Sequence, residues 1–409
     1  MIMTECNPLV SVVIPAYNRG SRISRTLESV INQDYDNIEI IVVNDCSTDD
    51  TVKIAEKVLS TSSRKYSIVN HEINRGKSEA RNTGIDASHG KYIWFCDSDD
   101  FADENFVSVE VAKIEYDNSD MVFCGRKRWY ENENKYTHIE IYPDRVLSRD
   151  EYFRLWSIGE IRGWSMWNCL FRKSFILQNK IRYRKCLLLA QDTEFVMKAL
   201  ALSQNISFAS GASYIYVQHD ENIAANHNRS KPEFYKYELS AIMYFGRFII
   251  RHIQEQQVTR YVMDIMIGSI IRMCELCACA GDQKFYYHEL RRFRHKKVRK
   301  FILSSVKSIF RDPKLFKDSV LLLYCPQYYY EQVRRRSKVD TVQKKAKFYA
   351  QNNERENYDM LVQKFRHRKM RKLMLSSVKS IWHKPEQFFK SVLLVYFPNF
   401  YYKARSRKS

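Results

Sequence analysis

With 45% apolar and 14% aromatic residues in 409, the chain is not disordered, and it has material for a catalytic core of roughly two to three hundred residues plus an appendage. Its formal charge of +20 sits in the tail: residues 291–409 hold 32 Lys and Arg against 8 Asp and Glu, so the rest of the chain is slightly acidic. No run approaches the roughly 20 apolar residues that span a bilayer, and the start up to Pro8 does not read as a signal peptide, so the chain is expected in the cytosol.

The β-branched run 9–14, stopped by Pro15, predicts a first strand, and Ile23, Leu27, Val30 and Ile31 recur at helical spacing over 21–33. A second strand is predicted over 38–43, a third over 67–71 and a fourth over 92–96, with a helix over 78–87 before the last. Alternating helices and near-continuous apolar strands imply a mostly parallel sheet covered on both faces, whose ligands sit beyond the carboxyl ends of the strands. The polar clusters 15–19, 44–50, 74–77 and 97–100 all fall at those ends. After residue 100 short strands and helices mix, and 233–290 reads as largely helical, with Ile242, Phe245, Ile249, Ile250 and Ile253 on one face. Ten scattered cysteines fit a reducing compartment. Cys274, Cys277 and Cys279 lie close together but have no second Cys/His pair at zinc spacing.

Asp97-Ser98-Asp99-Asp100 directly follows the fourth strand. Carboxylates at a strand end suit Mg²⁺ or Mn²⁺, hard ions that share oxygen ligands with substrate phosphates, although a solvated acidic turn has the same composition. Asn74-Arg75-Gly76-Lys77, with Arg81 a helical turn further, supplies the cations and close backbone approach that a diphosphate demands; the plain alternative is a turn before a basic helix face. Asp45 can accept the imide N–H of a uracil ring, and Pro15 and Tyr17 can flank a base, though each residue alone also suits a turn or cap.

Together these segments resemble the family 2 glycosyltransferases of GT-A fold. The resemblance is carried, in order, by Val12-Val13-Ile14-Pro15-Ala16-Tyr17-Asn18, Val42-Val43-Asn44-Asp45-Cys46-Ser47-Thr48-Asp49, Asn74-Arg75-Gly76 with Ala80-Arg81-Asn82, and Asp97-Ser98-Asp99-Asp100, and it spans about residues 9–220. It implies an α/β GT-A (Rossmann-like) domain over 1–222, with a nucleotide-sugar half to about 105 and an acceptor half from 106, then a helical extension over 223–290 and a basic tail over 291–409. It also implies that Pro15, Ala16, Tyr17 and Asn18 line the base and ribose, that Asp45 reads the base, and that Asn74, Arg75, Gly76, Lys77 and Arg81 approach the nucleotide. Asp97 then contacts the ribose or a metal-bound water, and Asp99 coordinates the ion.

On the acceptor side, Trp164, Trp167 and Asn168 belong to a segment in which Cys169 stands where the family usually has Lys. Gln191-Asp192-Thr193-Glu194-Phe195 is similar to the family's Glu-Asp element, which makes Asp192 the candidate general base and Glu194 the reserve. His219, after an aromatic strand, is a candidate third metal ligand, with a hydrogen-bonded structural histidine as the plainer reading. The implied reaction inverts the anomeric centre and moves a sugar from a nucleotide donor, UDP-linked by expectation, to a saccharide acceptor in cell-surface polysaccharide synthesis.

The tail repeats itself: residues 293–330 align without gaps onto 365–402 with 23 identities in 38 positions. Each copy joins a basic entry to an apolar helical face and a tyrosine cluster, a combination that suits the inner face of a membrane and hence a lipid-linked acceptor. The competing reading has these faces dock on the catalytic domain or on a second subunit. Nucleic acid is disfavoured, because the aromatics cluster with Leu and Val instead of alternating with cations.

Overall fold

A computed structural model describes residues 7–161, 165–185, 187–219, 231–284 and 286–288, with nine single positions between 318 and 337. The first expected unit is a strand, Val10–Ala16 (β1), a helix, Ile23–Ile31 (α1), and a strand, Ile38–Asn44 (β2). All seven residues of β1 are buried, as its lack of alternation requires of a strand covered on both faces. Helix Thr51–Leu59 (α2), strand Lys65–Asn70 (β3), helix Lys77–Ala87 (α3) and strand Tyr92–Phe95 (β4) complete the half that the sequence reads most clearly. The third strand ends at Asn70, one residue short of the expectation, and exposes Lys65, Tyr66 and Ser67, because it is the outermost strand.

The second half holds β5 (Phe101–Ala102), α4 (Phe106–Tyr116), β6 (Met121–Tyr130), β7 (Lys135–Glu140), β8 (Arg145–Ser148), α5 (Arg149–Ser157), β9 (Cys169–Arg172), α6 (Lys173–Gln178), α7 (Gln191–Leu202) and β10 (Asn205–Gln218). The sheet runs β3-β2-β1-β4-β9-β6-β10-β5, with β7 paired to β6 and β8 to β10. Six of the eight strands on this path point the same way, and β9 and β5 oppose them, so the sheet is mostly parallel as expected. In-register pairs Ala16 with Asn44, and Asn44 with Asn70, bring the carboxyl ends of β1, β2 and β3 level.

Packing explains one glycine. A β-carbon on Gly84 would lie 2.1 Å from Val13 Cγ1, so α3 can seat against β1 only without one. Trp94, Phe106 and Tyr214 anchor the opposite face, with the Trp94 and Phe106 rings 4.8 Å apart.

The chain divides into two compact units, Met1–Met266 and Ile267–Ser409. Helix Pro232–His252 (α8) belongs to the first and helix Gln256–Ala280 (α9) crosses the boundary, so the expected helical extension is shared between the units. Of the face expected on α8, Phe245 and Ile249 are buried and Ile253 is buried just beyond it, whereas Ile242 and Ile250 are only partly covered; Leu239, Ala241 and Met243 take their place. In the second unit Cys274 and Cys277 are buried and Cys279 is exposed. Nearly all of both tail repeats lies outside the described residues.

Candidate functional site

Asp45 directly follows β2, is 3% exposed, and turns its carboxylate toward the loop that begins α3. Oδ1 accepts the Arg75 N–H at 2.8 Å and Oδ2 accepts the Gly76 N–H at 2.7 Å. His71 Nδ1 lies 2.7 Å from Oδ1 and is braced from behind by Thr83 at 2.9 Å. Gly76 has φ +85°, a conformation that favours glycine. Above this loop, the Asn18 side chain accepts the Thr48 N–H at 2.8 Å and its own N–H donates to Ser47 Oγ at 3.0 Å, which ties the β1 and β2 exits together. Pro15 and Ala16 are buried, and Tyr17 stands 45% exposed beside them.

The β4 exit carries three carboxylates with three environments. Asp97 receives Lys77 Nζ at 2.7 Å on Oδ2 and Arg81 Nη2 at 2.8 Å on Oδ1. Burial alone would raise its pKa, but the two cations outweigh it and hold Asp97 well below the usual carboxylate range. Asp99 Oδ2 lies 3.2 Å from His219 Nε2 and 3.4 Å from Arg19 Nε. Burial again opposes ionisation, and the His219 hydrogen bond with the charge of Lys77 lowers the pKa nonetheless. Asp100 differs: it is wholly buried, accepts Tyr214 Oη at 2.9 Å and the Val217 N–H at 2.8 Å, and is pushed well above its ordinary value by burial and by Asp99 and Asp97. Its carboxylate joins β4 to β10 and is spent on that task.

Ligand atoms of Asp97, Asp99 and Asp100 all lie within 4.8 Å of one another, the single such group among the described residues. With Asp100 committed to β10, the residues that could hold a divalent ion are Asp99, with His219 beside it, and Asp97, whose oxygens here carry Lys77 and Arg81. Two carboxylates and an imidazole match the oxygen and nitrogen preference of Mn²⁺, and Mg²⁺ would use the carboxylates.

Arg81 is 1% exposed, and among the described residues its Nε and Nη1 donors meet no partner. Its charge feels Asp97 and, less strongly, Asp192 in the first turn of α7. Trp167 stacks on Tyr214 and Tyr216 with ring centroids 4.6 and 5.9 Å apart.

Residues 11–177 match the family model described as Glycosyl transferase family 2. The chain is 31% identical over 227 residues to the glycosyltransferase EpsH of Bacillus subtilis (strain 168), covering 54% of this chain and 64% of EpsH. It is 30% identical over 218 residues to the uncharacterized glycosyltransferase EpsJ of the same organism, covering 53% of this chain and 63% of EpsJ. Residues 11–177 form a glycosyltransferase family 2 domain.

The chain spans under two thirds of the length of EpsH and EpsJ. A crystal structure of S. aureus TarS in complex with UDP-GlcNAc shares its fold, with a TM-score of 0.52 over 88% of this chain and 91% of that one, at 19% identity. Two expected site residues prove to be buried. Asn168 is 1% exposed and donates to the Cys124 carbonyl at 2.6 Å, so it is a strut under the acceptor side and not a surface for the acceptor. Cys169, where the family usually has Lys, is fully buried in β9. Glu194 is buried against Arg184 and Lys198 and has no open face from which to serve as a base. Trp164 lies outside the described residues. Arg19, His71, Tyr183 and Tyr214 touch Asp99, Asp45, Arg81 and Asp100, and of these only Arg19 is signalled in the sequence, as a cation in the polar cluster after β1.

Proposed function

We propose that the chain transfers a sugar from a nucleotide donor, UDP-linked, to a saccharide acceptor with inversion at the anomeric carbon. The observation that carries this reading is the convergence of four strand exits: Asp45 grips Arg75 and Gly76, Lys77 and Arg81 grip Asp97, and Arg19 approaches Asp99. Asp45 and Tyr17 offer an acceptor and an aromatic face to the base. Arg75, Lys77 and the two unpartnered donors of buried Arg81 suit a diphosphate. Asp99 and His219, with Asp97, would hold Mn²⁺ or Mg²⁺, which when bound neutralises charge on the departing nucleoside diphosphate.

Asp192, partly exposed at the start of α7, takes the proton of the acceptor hydroxyl as that oxygen attacks from the face opposite the leaving group. A single displacement with a single base inverts configuration, so an α-linked donor gives a β-linked product. Trp167, on its tyrosine stack, offers the acceptor a ring to lie against.

The acceptor we favour is lipid-linked, as in capsule, exopolysaccharide or lipopolysaccharide synthesis, met at the inner face of the membrane. The basic, tyrosine-rich repeats of 291–409 support this by their sequence. No described helix is long and apolar enough to cross a membrane.

A panel of nucleotide sugars, read by thermal shift with Mn²⁺ and by nucleotide release, tests the reading. UDP-sugars are expected to stabilise the protein and be turned over. Equal stabilisation by GDP- and CMP-sugars would remove the uracil assignment of Asp45, and no stabilisation by any donor would remove the transferase itself.

A further inference from the structure

Two residues beyond Asp192, in the first turn of α7, the Glu194 carboxylate is held from outside the helix. Arg184 reaches it with Nη2 at 2.8 Å and Nε at 3.0 Å, and Lys198 closes from one turn further along at 3.7 Å. The same guanidinium donates to Ser240 Oγ at 3.2 Å and lies 4.8 Å above the Tyr244 ring, both on α8. The segment that carries Arg184 is itself pinned. Asn82 on α3 accepts the Tyr183 N–H and donates to the Tyr183 carbonyl, both at 2.9 Å, and the Tyr183 ring lies 5.2 Å from the guanidinium of Arg81.

The start of α7 needs such support. Its N-cap, Ala190, sits at φ +60°, a left-handed conformation that a β-carbon disfavours, and provides no side-chain cap. Tertiary contacts therefore set the direction of the first turn, and with it the side chain of Asp192. Removing the cation from a buried carboxylate is strongly destabilising, so this contact constrains the first turn of α7.

We propose that Arg184 and Glu194 are positioning residues for the general base, and that α8, by fixing Arg184 through Ser240 and Tyr244, sets how Asp192 meets the acceptor. The proposal rests on the reading of Asp192 as that base. Helix α8 thereby governs transfer although it supplies no residue to the donor site, because donor contacts come from β1, β2, α3 and β4 exits that Arg184 does not touch.

The test compares Arg184→Ala, Arg184→Lys, Tyr244→Ala and Asp192→Asn in the full chain. UDP binding is titrated in Mn²⁺, and UDP release from UDP-GlcNAc and UDP-glucose is measured with saccharide and with water as acceptor. Arg184→Ala is expected to lower kcat about a hundredfold, the scale of an ångström's misplacement of a catalytic group, with the UDP Kd unchanged within about twofold. Arg184→Lys, which keeps the charge but loses the fork, should recover part of that loss. Tyr244 is 42% exposed, so Tyr244→Ala should fold and show the same kcat loss in weaker form, about fivefold. Undiminished kcat in folded Arg184→Ala, or in Tyr244→Ala should the former not fold, overturns the proposal. So does a UDP affinity that falls in step with kcat. Normal turnover in Asp192→Asn would instead sink the base assignment on which the proposal stands.

Discussion

Replacing Asp45 by Asn probes the junction of donor loop and base site with almost no change of shape. The native carboxylate accepts two backbone N–H groups through different oxygens, at 2.8 and 2.7 Å, and an imidazole as well. Asparagine has one acceptor oxygen, so either Arg75 or Gly76 loses its partner and faces an amide N–H₂. A lost hydrogen bond to a charged group costs about 1.5–3 kcal/mol, and a stranded buried donor adds about 1–3 kcal/mol. The loop ends in solvent and can relax, which favours the lower ends and gives about 3 kcal/mol in total. For a domain a little above two hundred residues, each kcal/mol moves Tm by about 2–4 °C, so a fall of about 6–12 °C is expected by calorimetry. UDP titrated in the presence of Mn²⁺ should bind at least about tenfold more weakly, because the imide acceptor and the loop geometry fail together. A Tm within about 1 °C of the parent would refute the hydrogen-bond reasoning. A lowered Tm with undisturbed UDP affinity would confine Asp45 to folding.

Asp99→Ala removes the carboxylate that faces His219 and is expected to abolish the gain in UDP affinity that Mn²⁺ confers; an unchanged Mn²⁺ titration would remove Asp99 from the metal set. Burial pushes the Glu110 carboxyl, beside Cys124, well above its ordinary 4.5, so the folded protein keeps a proton that the unfolded chain releases. Stability should therefore fall as pH rises from 4.5 toward the raised folded value, and the non-ionising Glu110→Gln should gain Tm over the parent at about pH 8 but not at about pH 4; parallel Tm curves would contradict this. Gly84→Ala drives a methyl into Val13 and should cost about 1–3 kcal/mol in urea unfolding, with an unshifted midpoint as the contrary result. The full chain should sediment with anionic vesicles at low salt and be released at high salt, since each Lys or Arg near the surface adds about 1 kcal/mol of screened attraction. Failure to sediment at low salt would remove the membrane reading.

The first hundred residues were legible because β1, β2 and β4 are near-continuous apolar strands and each exit is polar: neither feature depends on a distant part of the chain. Residues of the carboxylate cluster were legible as a group for the same reason, but their separate roles were not. Asp97, Asp99 and Asp100 differ by what faces them, and those partners, Lys77 and Arg81, His219 and Arg19, and Tyr214 with Val217, arrive from up to 120 positions away. Acceptor-side assignments suffered most, since Asn168 and Glu194 are polar residues whose burial follows from β6 and from the 181–185 segment packing over them.

Sequence by itself determined the parallel α/β half, the resemblance of its motifs to family 2, the order of polar exits and the duplicated basic tail, because periodicity and motif spacing are properties of neighbours along the chain. Tertiary structure alone decided which partners face each of three adjacent aspartates, and which acid on α7 stays partly exposed and which is sealed by Arg184. A carboxylate's role is fixed by the charges and donors around it, and only folding brings those together.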